Sequence, residues 1–242
     1  MMFFIFFFFI LFISNVIQGI TGFAGTLLAM PFLLYLMDIE PAKEILNFVG
    51  LIGSLVIVYN NHQYINFSHV RRIIFFMMIG MVTGIVSYSY LSMKLLMIIF
   101  STFLLFTSVH GLVKVFQKKV KTKQVEMSIK GNTILLLGGF FHGMFLSGGP
   151  LLVMFASDYI PEKRQFRATL SCVWVILNGF YLLQSLLNKN ISVEVGINMV
   201  YAVIPMLLGI FFGGKILARL DQQTFMIISY VLLFLSGVFL LK

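Results

Sequence analysis

Charged residues are scarce in this chain, and cysteine is almost absent. Of 242 residues only 10% are Asp, Glu, Lys or Arg, whereas 60% are hydrophobic. So few charges cannot cover so much apolar surface in water, and the composition therefore excludes a soluble globular domain and indicates a polytopic membrane protein. The single cysteine, Cys172, excludes an intrachain disulfide and lies in an apolar run, where we expect an unreactive thiol.

Clusters of catalytic or metal-ligating residues are also missing. No group of His, Cys, Asp and Glu has the spacing of a metal site, and there is neither a nucleophile elbow nor a P-loop lysine. We therefore expect no catalytic residue, no metal and no cofactor. The net charge of +9 comes from Lys and Arg in short loops between apolar runs, which favours contact with anionic lipids over contact with nucleic acid.

Apolar runs long enough to cross a membrane recur along the chain, since about 20 residues span roughly 30 Å of hydrocarbon. Six runs fit this length: 41–61, 69–91, 94–117, 165–187, 193–218 and 222–241. Two more, 3–37 and 131–159, are interrupted by glycine clusters. The sequence thus predicts an all-α polytopic membrane protein with about eight hydrophobic segments.

The two interrupted runs resemble each other. Placing "GITGFAGTLLAMP", from Gly19, over "GMFLSGGPLLVMF", from Gly143, also aligns Gly25 with Gly149. A nearby register aligns further positions: Gly80 with Gly209, Gly84 with Gly213, and the turn at 92–94 with that at 221–223. Such internal repeats are common in secondary transporters.

These alignments predict two homologous four-segment repeats. The first transmembrane repeat is expected at 1–117 and the second at 131–242, with a basic connecting loop at 118–130. In each repeat the first segment is the one broken by glycines.

The basic residues indicate how the broken segments run. If each segment enters and returns on one side, all 17 Lys and Arg except Lys43, Lys94, Lys189 and Lys242 share one face, as the positive-inside rule requires. The repeats are then inverted. Helices at 3–18 and 26–37 would be about 24 and 18 Å long, each short of a full crossing. We favour re-entrant hairpins, and the alternative is one tilted, glycine-kinked helix in each repeat.

The glycine breaks predict an anion site. Unwound backbone at membrane depth has to face protein or a polar cavity. After each break we expect a new helix, beginning at Thr26 and at Pro150, whose N-terminus offers free N–H groups and a partial positive charge to an anion. Two such ends brought together near the midplane would form one site without a buried Lys or Arg.

The expected substrate-binding residues lie at the breaks or on helices beside them: Thr21, Gly22, Gly25, Thr26, Asn47, Ser147, Gly148, Gly149 and Ser171. Accessory candidates are Gln18, His142, Arg167 and Asn178. For each polar residue taken singly, helix–helix hydrogen bonding is the alternative. Because His142 aligns with Gln18, we favour a structural hydrogen bond for it over proton coupling.

The remaining charged residues near the breaks are expected to be solvated at the membrane interface. They are Asp38, Glu40, Lys43, Glu44, Asp158, Glu162, Lys163 and Arg164. On this interpretation no buried acidic residue marks a proton or sodium path.

At these motifs the chain resembles the sulfite exporter TauE/SafE family over nearly its whole length. "GITGFAGTLLAMPFLL" is similar to the family's glycine-rich first motif, and "GGFFHGMFLSGGPLLVMF" with "RATLS" is similar to the second. Departures are Leu146 and Ser147, where glycine is expected, Phe155, where the first half has Pro31, and "AKEILNFVG", which lacks the Arg-Ala-Thr/Ser start. The resemblance implies transport of sulfite, sulfonates or related carboxylate anions across the cytoplasmic membrane.

The leading hypothesis is a secondary transporter or exporter of small anions that works by alternating access around a midplane site between the broken helices. The alternatives are a membrane scaffold or assembly protein without transport and, further from the sequence, a membrane-embedded enzyme. The expected partners are a small anionic substrate and the lipid bilayer, with anionic lipids at the basic loop and no nucleic acid. The sequence leaves open the particular anion, the direction, the coupling ion and whether the chain forms a homo-oligomer.

Overall fold

The computed structural model describes residues 2–87, 90, 93–116, 129–160 and 162–240, and within these ranges it contains helices and turns but no strand. A short 3-10 helix, His62–Tyr64, follows the third of the α-helices. The α-helices are α1 (Met2–Thr21), α2 (Gly25–Leu33), α3 (Ile39–Asn61), α4 (Phe67–Ser87), α5 (Met93–Phe116), α6 (Ile129–Phe145), α7 (Gly149–Tyr159), α8 (Lys163–Leu187), α9 (Val193–Arg219) and α10 (Gln222–Leu240). The all-α prediction is confirmed.

Five helical segments among the described residues are long and apolar enough to cross a bilayer. They are Met2–Thr21, Ile39–Tyr64, Phe67–Ser87, Lys163–Leu187 and Val193–Arg219. The chain is therefore a multi-pass membrane protein. One expectation changes: α1 continues to Thr21, and its 20 residues give about 30 Å at 1.5 Å per residue, enough for a full crossing. Helix length therefore does not argue for a re-entrant first segment.

The helices form two compact units. The first comprises Met1–Ile74 with Arg167–Arg219, and the second comprises Phe75–Phe166 with Leu220–Lys242. Each unit takes helices from both halves of the sequence. The division into compact units does not test whether the sequence contains an internal repeat. The two repeats therefore stay a prediction. Most of the predicted basic loop at 118–130 lies outside the described residues.

In the first unit, α1 and α9 cross closely because glycines line the contact. A methyl group at Gly19 would lie 2.9 Å from the carbonyl oxygen of Ile210 and 3.1 Å from Cα of Gly213. One at Gly209 would lie 2.6 Å from the carbonyl oxygen of Phe12. Small residues allow backbones to approach in this way inside membranes. Beside the crossing lies an apolar core with residues from four helices, among them Leu11, Leu33, Ile45 and Met206.

In the second unit, α4 and α6 cross in the same manner. Methyl groups at four glycines would overlap backbone carbonyl oxygens of the facing helix: Gly80 that of Leu136, Gly84 that of Phe140, Gly139 that of Met77 and Gly143 that of Met81. Gly143 aligns with Gly19 of α1, and the α4 glycines align with those of α9. The aligned glycines thus form the same kind of helix crossing in each unit.

Helix α7 runs back alongside α6. A methyl group at Gly131, in the first turn of α6, would lie 3.1 Å from Cε2 of Phe155 and 3.3 Å from Oη of Tyr159 at the end of α7. Nearer the break, one at Gly138 would lie 3.2 Å from Cβ of Leu151. The two helices therefore form an antiparallel hairpin with the second glycine break at its tip.

Candidate functional site

The first break consists of the residues between α1 and α2. Gly22 has φ of +81°, a left-handed conformation that glycine adopts without a steric penalty, and its N–H donates to the carbonyl oxygen of Gln18 at 2.7 Å. The hydroxyl of Thr21 donates to Ile17 O at 2.9 Å and accepts the N–H of Ala24 at 3.3 Å. Thr21, predicted to bind substrate, thus closes the end of α1 and holds the break.

Helix α2 begins at Gly25, one residue before the predicted start at Thr26. Its first intrahelical hydrogen bond runs from the N–H of Leu28 to the carbonyl oxygen of Ala24, at 3.1 Å. The N–H groups of Gly25, Thr26 and Leu27 therefore have no intrahelical partner. They give this helix end the partial positive charge that favours an anion.

The second break has the same construction. Leu146, aligned with Gly22, has φ of +54°, and its N–H donates to His142 O at 2.8 Å. Helix α7 begins at Gly149, one residue before Pro150, with Gly148 as its N-cap. The hydroxyl of Ser147 donates to Phe145 O at 3.0 Å. A substrate role for Ser147, Gly148 and Gly149 stays a prediction, as does the structural role of His142, which is buried beside Gly148.

Several predicted site residues meet around one glycine of α3, Gly50. The amide of Gln18 donates to Gly50 O at 3.5 Å, the limit of a hydrogen bond. A methyl group at Gly50 would lie 3.0 Å from Nδ2 of Asn178 and 3.4 Å from Oγ1 of Thr26. Asn47 donates to Asn178 O at 3.2 Å. The structure thus brings Gln18, Thr26, Asn47 and Asn178 together beside the first break, and Gly50 is a residue that the sequence analysis missed.

Gly25 contributes space to the same place. A methyl group there would overlap Oε1 of Gln18 and lie 2.8 Å from Cβ of that side chain. The glycine therefore allows α2 to begin beside the Gln18 amide. This packing role accounts for Gly25 whether or not an anion reaches its backbone.

Arg167 of α8 lies directly against the first break. A methyl group at Gly22 would lie 3.0 Å from the carbonyl oxygen of Arg167 and 3.3 Å from its Cγ. The side chain is only 6% exposed, and Nε has no hydrogen-bond partner among the described residues. An unpaired buried charge is costly, so such a residue in a membrane protein is typically functional.

A cavity of about 460 Å³ opens beside Arg167 within the first unit. Its polar lining residues are Arg167, Lys215, Asn60 and Asn61, and the remaining lining is mainly apolar. The ammonium group of Lys215 lies 4.2 Å from the centroid of the Phe211 ring. Among the described residues, the lining of the cavity therefore contains two cations and no acidic side chain. Lys215, Asn60 and Asn61 were not predicted from the sequence, because their relation to Arg167 depends on helix packing.

Six polar residues and Gly50 lie on one face of α3 or one face of α8, and we call this set the polar seam: Glu44, Asn47, Gly50 and Ser54 on α3 with Ser171, Asn178 and Ser185 on α8. Residues three or four apart share one face of a helix, and residues seven apart nearly so. Hydrogen bonds join the helices from Ser185 Oγ to Glu44 Oε1 at 2.7 Å and from Asn47 Nδ2 to the carbonyl oxygen of Asn178 at 3.2 Å. The hydroxyls of Ser54 and Ser171 are buried without a hydrogen-bond partner in the described part of the chain.

Two expectations about charged residues near the breaks were wrong. Lys43 and Glu44 were expected to be solvated at the interface, but they are 4% and 1% exposed. Tyr181 and Ser185 of α8 lie beside them, which is why they are buried. A local sequence window does not show which helix covers a charged residue.

Within the described ranges, no group of three or more His, Cys, Asp or Glu side chains could hold a metal ion. The polar groups beside the first break are instead amides, hydroxyls, backbone N–H groups without an intrahelical partner and the buried guanidinium of Arg167. This set can donate several hydrogen bonds to a small anion.

Comparison with known proteins agrees with this chemistry. The family model described as sulfite exporter TauE/SafE matches residues 6–240, almost the entire chain. No curated protein and no solved structure matches the chain significantly.

Proposed function

The chain belongs to the sulfite exporter TauE/SafE family, and from this premise we propose that it transports sulfite or a similarly small sulfonate or carboxylate anion across the cytoplasmic membrane. The first unit binds the anion beside the first break. The observation that carries this proposal is Arg167, a buried guanidinium that contacts the break, faces a cavity and has no acidic partner among the described residues.

Arg167 suits an oxyanion for electrostatic and geometric reasons. Its planar guanidinium can donate two parallel hydrogen bonds to one anion. The guanidinium is already desolvated in the folded protein. An anion that binds to it is therefore attracted without any further desolvation of the cation. A small oxyanion and its residual water fit a cavity of about 460 Å³.

The first break supplies the remaining donors. The free N–H groups of α2 lie at a helix N-terminus, and the amides of Gln18, Asn47 and Asn178 surround Gly50 close by. Neutral donors of this kind bind an anion without fixing it too tightly for release. We assign Thr26 and Ser171 to the same wall and Thr21 to holding the break.

The repeat prediction is part of the proposal. The two breaks have matching lengths, matching left-handed residues and matching hydrogen bonds, and aligned glycines form the close crossing in each unit. The α6–α7 hairpin supports a re-entrant segment. Inverted repeats built in this way allow two alternative openings of a transporter, and alternating access is therefore the mechanism we propose.

Flux in proteoliposomes tests the function. Purified protein is reconstituted with internal labelled sulfite, and efflux is compared with protein-free liposomes and with a panel of sulfonates and carboxylates. We expect saturable efflux of sulfite or of one member of the panel. If folded protein moves none of these anions, the proposal fails and a scaffold or assembly role is favoured.

A further inference from the structure

Glu44 is a buried carboxyl group in a membrane-spanning helix. It is 1% exposed, its Oε1 accepts the Ser185 hydroxyl at 2.7 Å, and its Oε2 has no hydrogen-bond partner in the part of the chain that the structure describes. Ionisable residues in such positions are costly and typically belong to ion or proton pathways. The proposed anion site does not require this carboxyl.

Among the described residues, Glu44 forms no salt bridge. Lys43, the adjacent cation, is paired with Glu40 at 3.4 Å and lies 6.0 Å from the centroid of the Tyr181 ring of α8. The helices α1 and α2 contain no ionisable residue. The first ionisable residue of α9 is Glu194, and it is exposed. Lys189, in the turn before α9, is exposed as well.

The polar seam connects Glu44 with the anion site. Asn47 lies one helical turn from Glu44 and donates to Asn178, whose amide lies beside Gly50. Gly50 in turn contacts Gln18 and Thr26 at the first break. A change of charge at Glu44 therefore acts on an anion through a short, largely buried path, where electrostatic interactions are weakly screened.

We propose that Glu44 binds the proton that is carried together with the anion. Protonation of the carboxylate removes a negative charge from the seam and so strengthens anion binding, and by linkage a bound anion strengthens proton binding to the same extent. The carboxylate gains a proton from one aqueous side and releases it to the other, with no other bond changed. The inference rests on the proposed transport function and adds its coupling ion.

The test measures flux of methanesulfonate, whose charge does not change near neutral pH, in proteoliposomes whose membrane potential is clamped at zero. With one proton per anion, a pH gradient of one unit is expected to drive about tenfold accumulation of the sulfonate on the alkaline side. The Glu44→Gln variant keeps the size and the Ser185 contact of the side chain. It is expected to equilibrate the sulfonate but not to accumulate it.

Two further variants make the result specific. Glu194→Gln removes an exposed carboxylate in the first turn of α9 and is expected to retain accumulation. Glu44→Asp keeps a carboxyl group and is expected to retain accumulation at a lower rate, which provides the comparison if Glu44→Gln does not fold. Wild-type flux without accumulation, or equal accumulation by wild type and Glu44→Gln, overturns the inference alone. Absence of all anion flux in the wild type refutes the proposed function and the coupling with it.

Discussion

Gly22 and Leu146 occupy the same position in the two breaks, and both have left-handed backbones, with φ of +81° and +54°. This conformation costs an L-residue roughly 1–2 kcal/mol, whereas glycine avoids the clash. The Leu146 side chain is 5% exposed, and removing a buried Leu side chain from a packed site costs about 2–5 kcal/mol. Packing of Leu146 therefore offsets the strain, which explains how the second break forms without a glycine at this position.

Gly22→Ala is expected to destabilise the protein. The methyl group adds the left-handed penalty of roughly 1–2 kcal/mol and lies 3.0 Å from the carbonyl oxygen of Arg167. The unfolding temperature in detergent should fall, and anion flux should fall with it because Arg167 is displaced. Gly196→Ala is the matched control, since a methyl group there contacts nothing within 4 Å, and it should be neutral or slightly stabilising. A Gly22→Ala protein with wild-type stability and flux would contradict the role given to the break.

Gly19→Ala and Gly143→Ala test the helix crossings. Each methyl group meets backbone of the facing helix, so overpacking should cost about 1–3 kcal/mol in both variants. Gly179→Ala, whose methyl group would first meet Leu51 at 3.9 Å, serves as the control. Unfolding temperatures compare the three. If only one of the two crossing variants is destabilised, the two crossings are not equivalent and the repeat loses support.

Cysteine labelling tests the α6–α7 hairpin as a re-entrant segment. In a Cys172→Ala background, Ile129→Cys at the start of α6 and Arg164→Cys in the first turn of α8, which follows α7, place single thiols at two exposed positions. A membrane-impermeant maleimide should modify both from the same side. Labelling from opposite sides would show that the segment crosses the membrane once.

The helices and the breaks could be predicted from the sequence because they depend on neighbouring residues, namely apolar runs and glycine clusters. Apolar runs predicted α3 and α8 to within two residues, and the aligned glycines predicted both breaks, with helix starts one residue late. The glycines at the breaks and at the helix crossings could be recognised from their spacing in the sequence.

The surroundings of Arg167 and Glu44 were not accessible in that way. Both lie within the first turns of a helix, where a charged residue is ordinarily solvated, and their burial results from helices distant in sequence. The same holds for Gly50, which joins Gln18, Thr26 and Asn178 only after α1, α2, α3 and α8 have assembled. Glu44 was expected to be solvated at the interface, but it is buried, and Ser185 of α8 contacts its carboxyl group. A single sequence does not show this packing.

Labelled-sulfite flux by Arg167→Gln, measured beside the wild type in proteoliposomes, tests the central claim most directly. Hydrogen bonds to a charged group contribute about 1.5–3 kcal/mol, so loss of the guanidinium should weaken anion affinity roughly 10- to 100-fold. Arg167→Lys keeps the charge without the planar pair of donors and should retain part of the flux. Arg164→Gln, at an exposed position three residues earlier, should behave as wild type. Folded Arg167→Gln protein with wild-type affinity and flux would contradict an anion site at the first break.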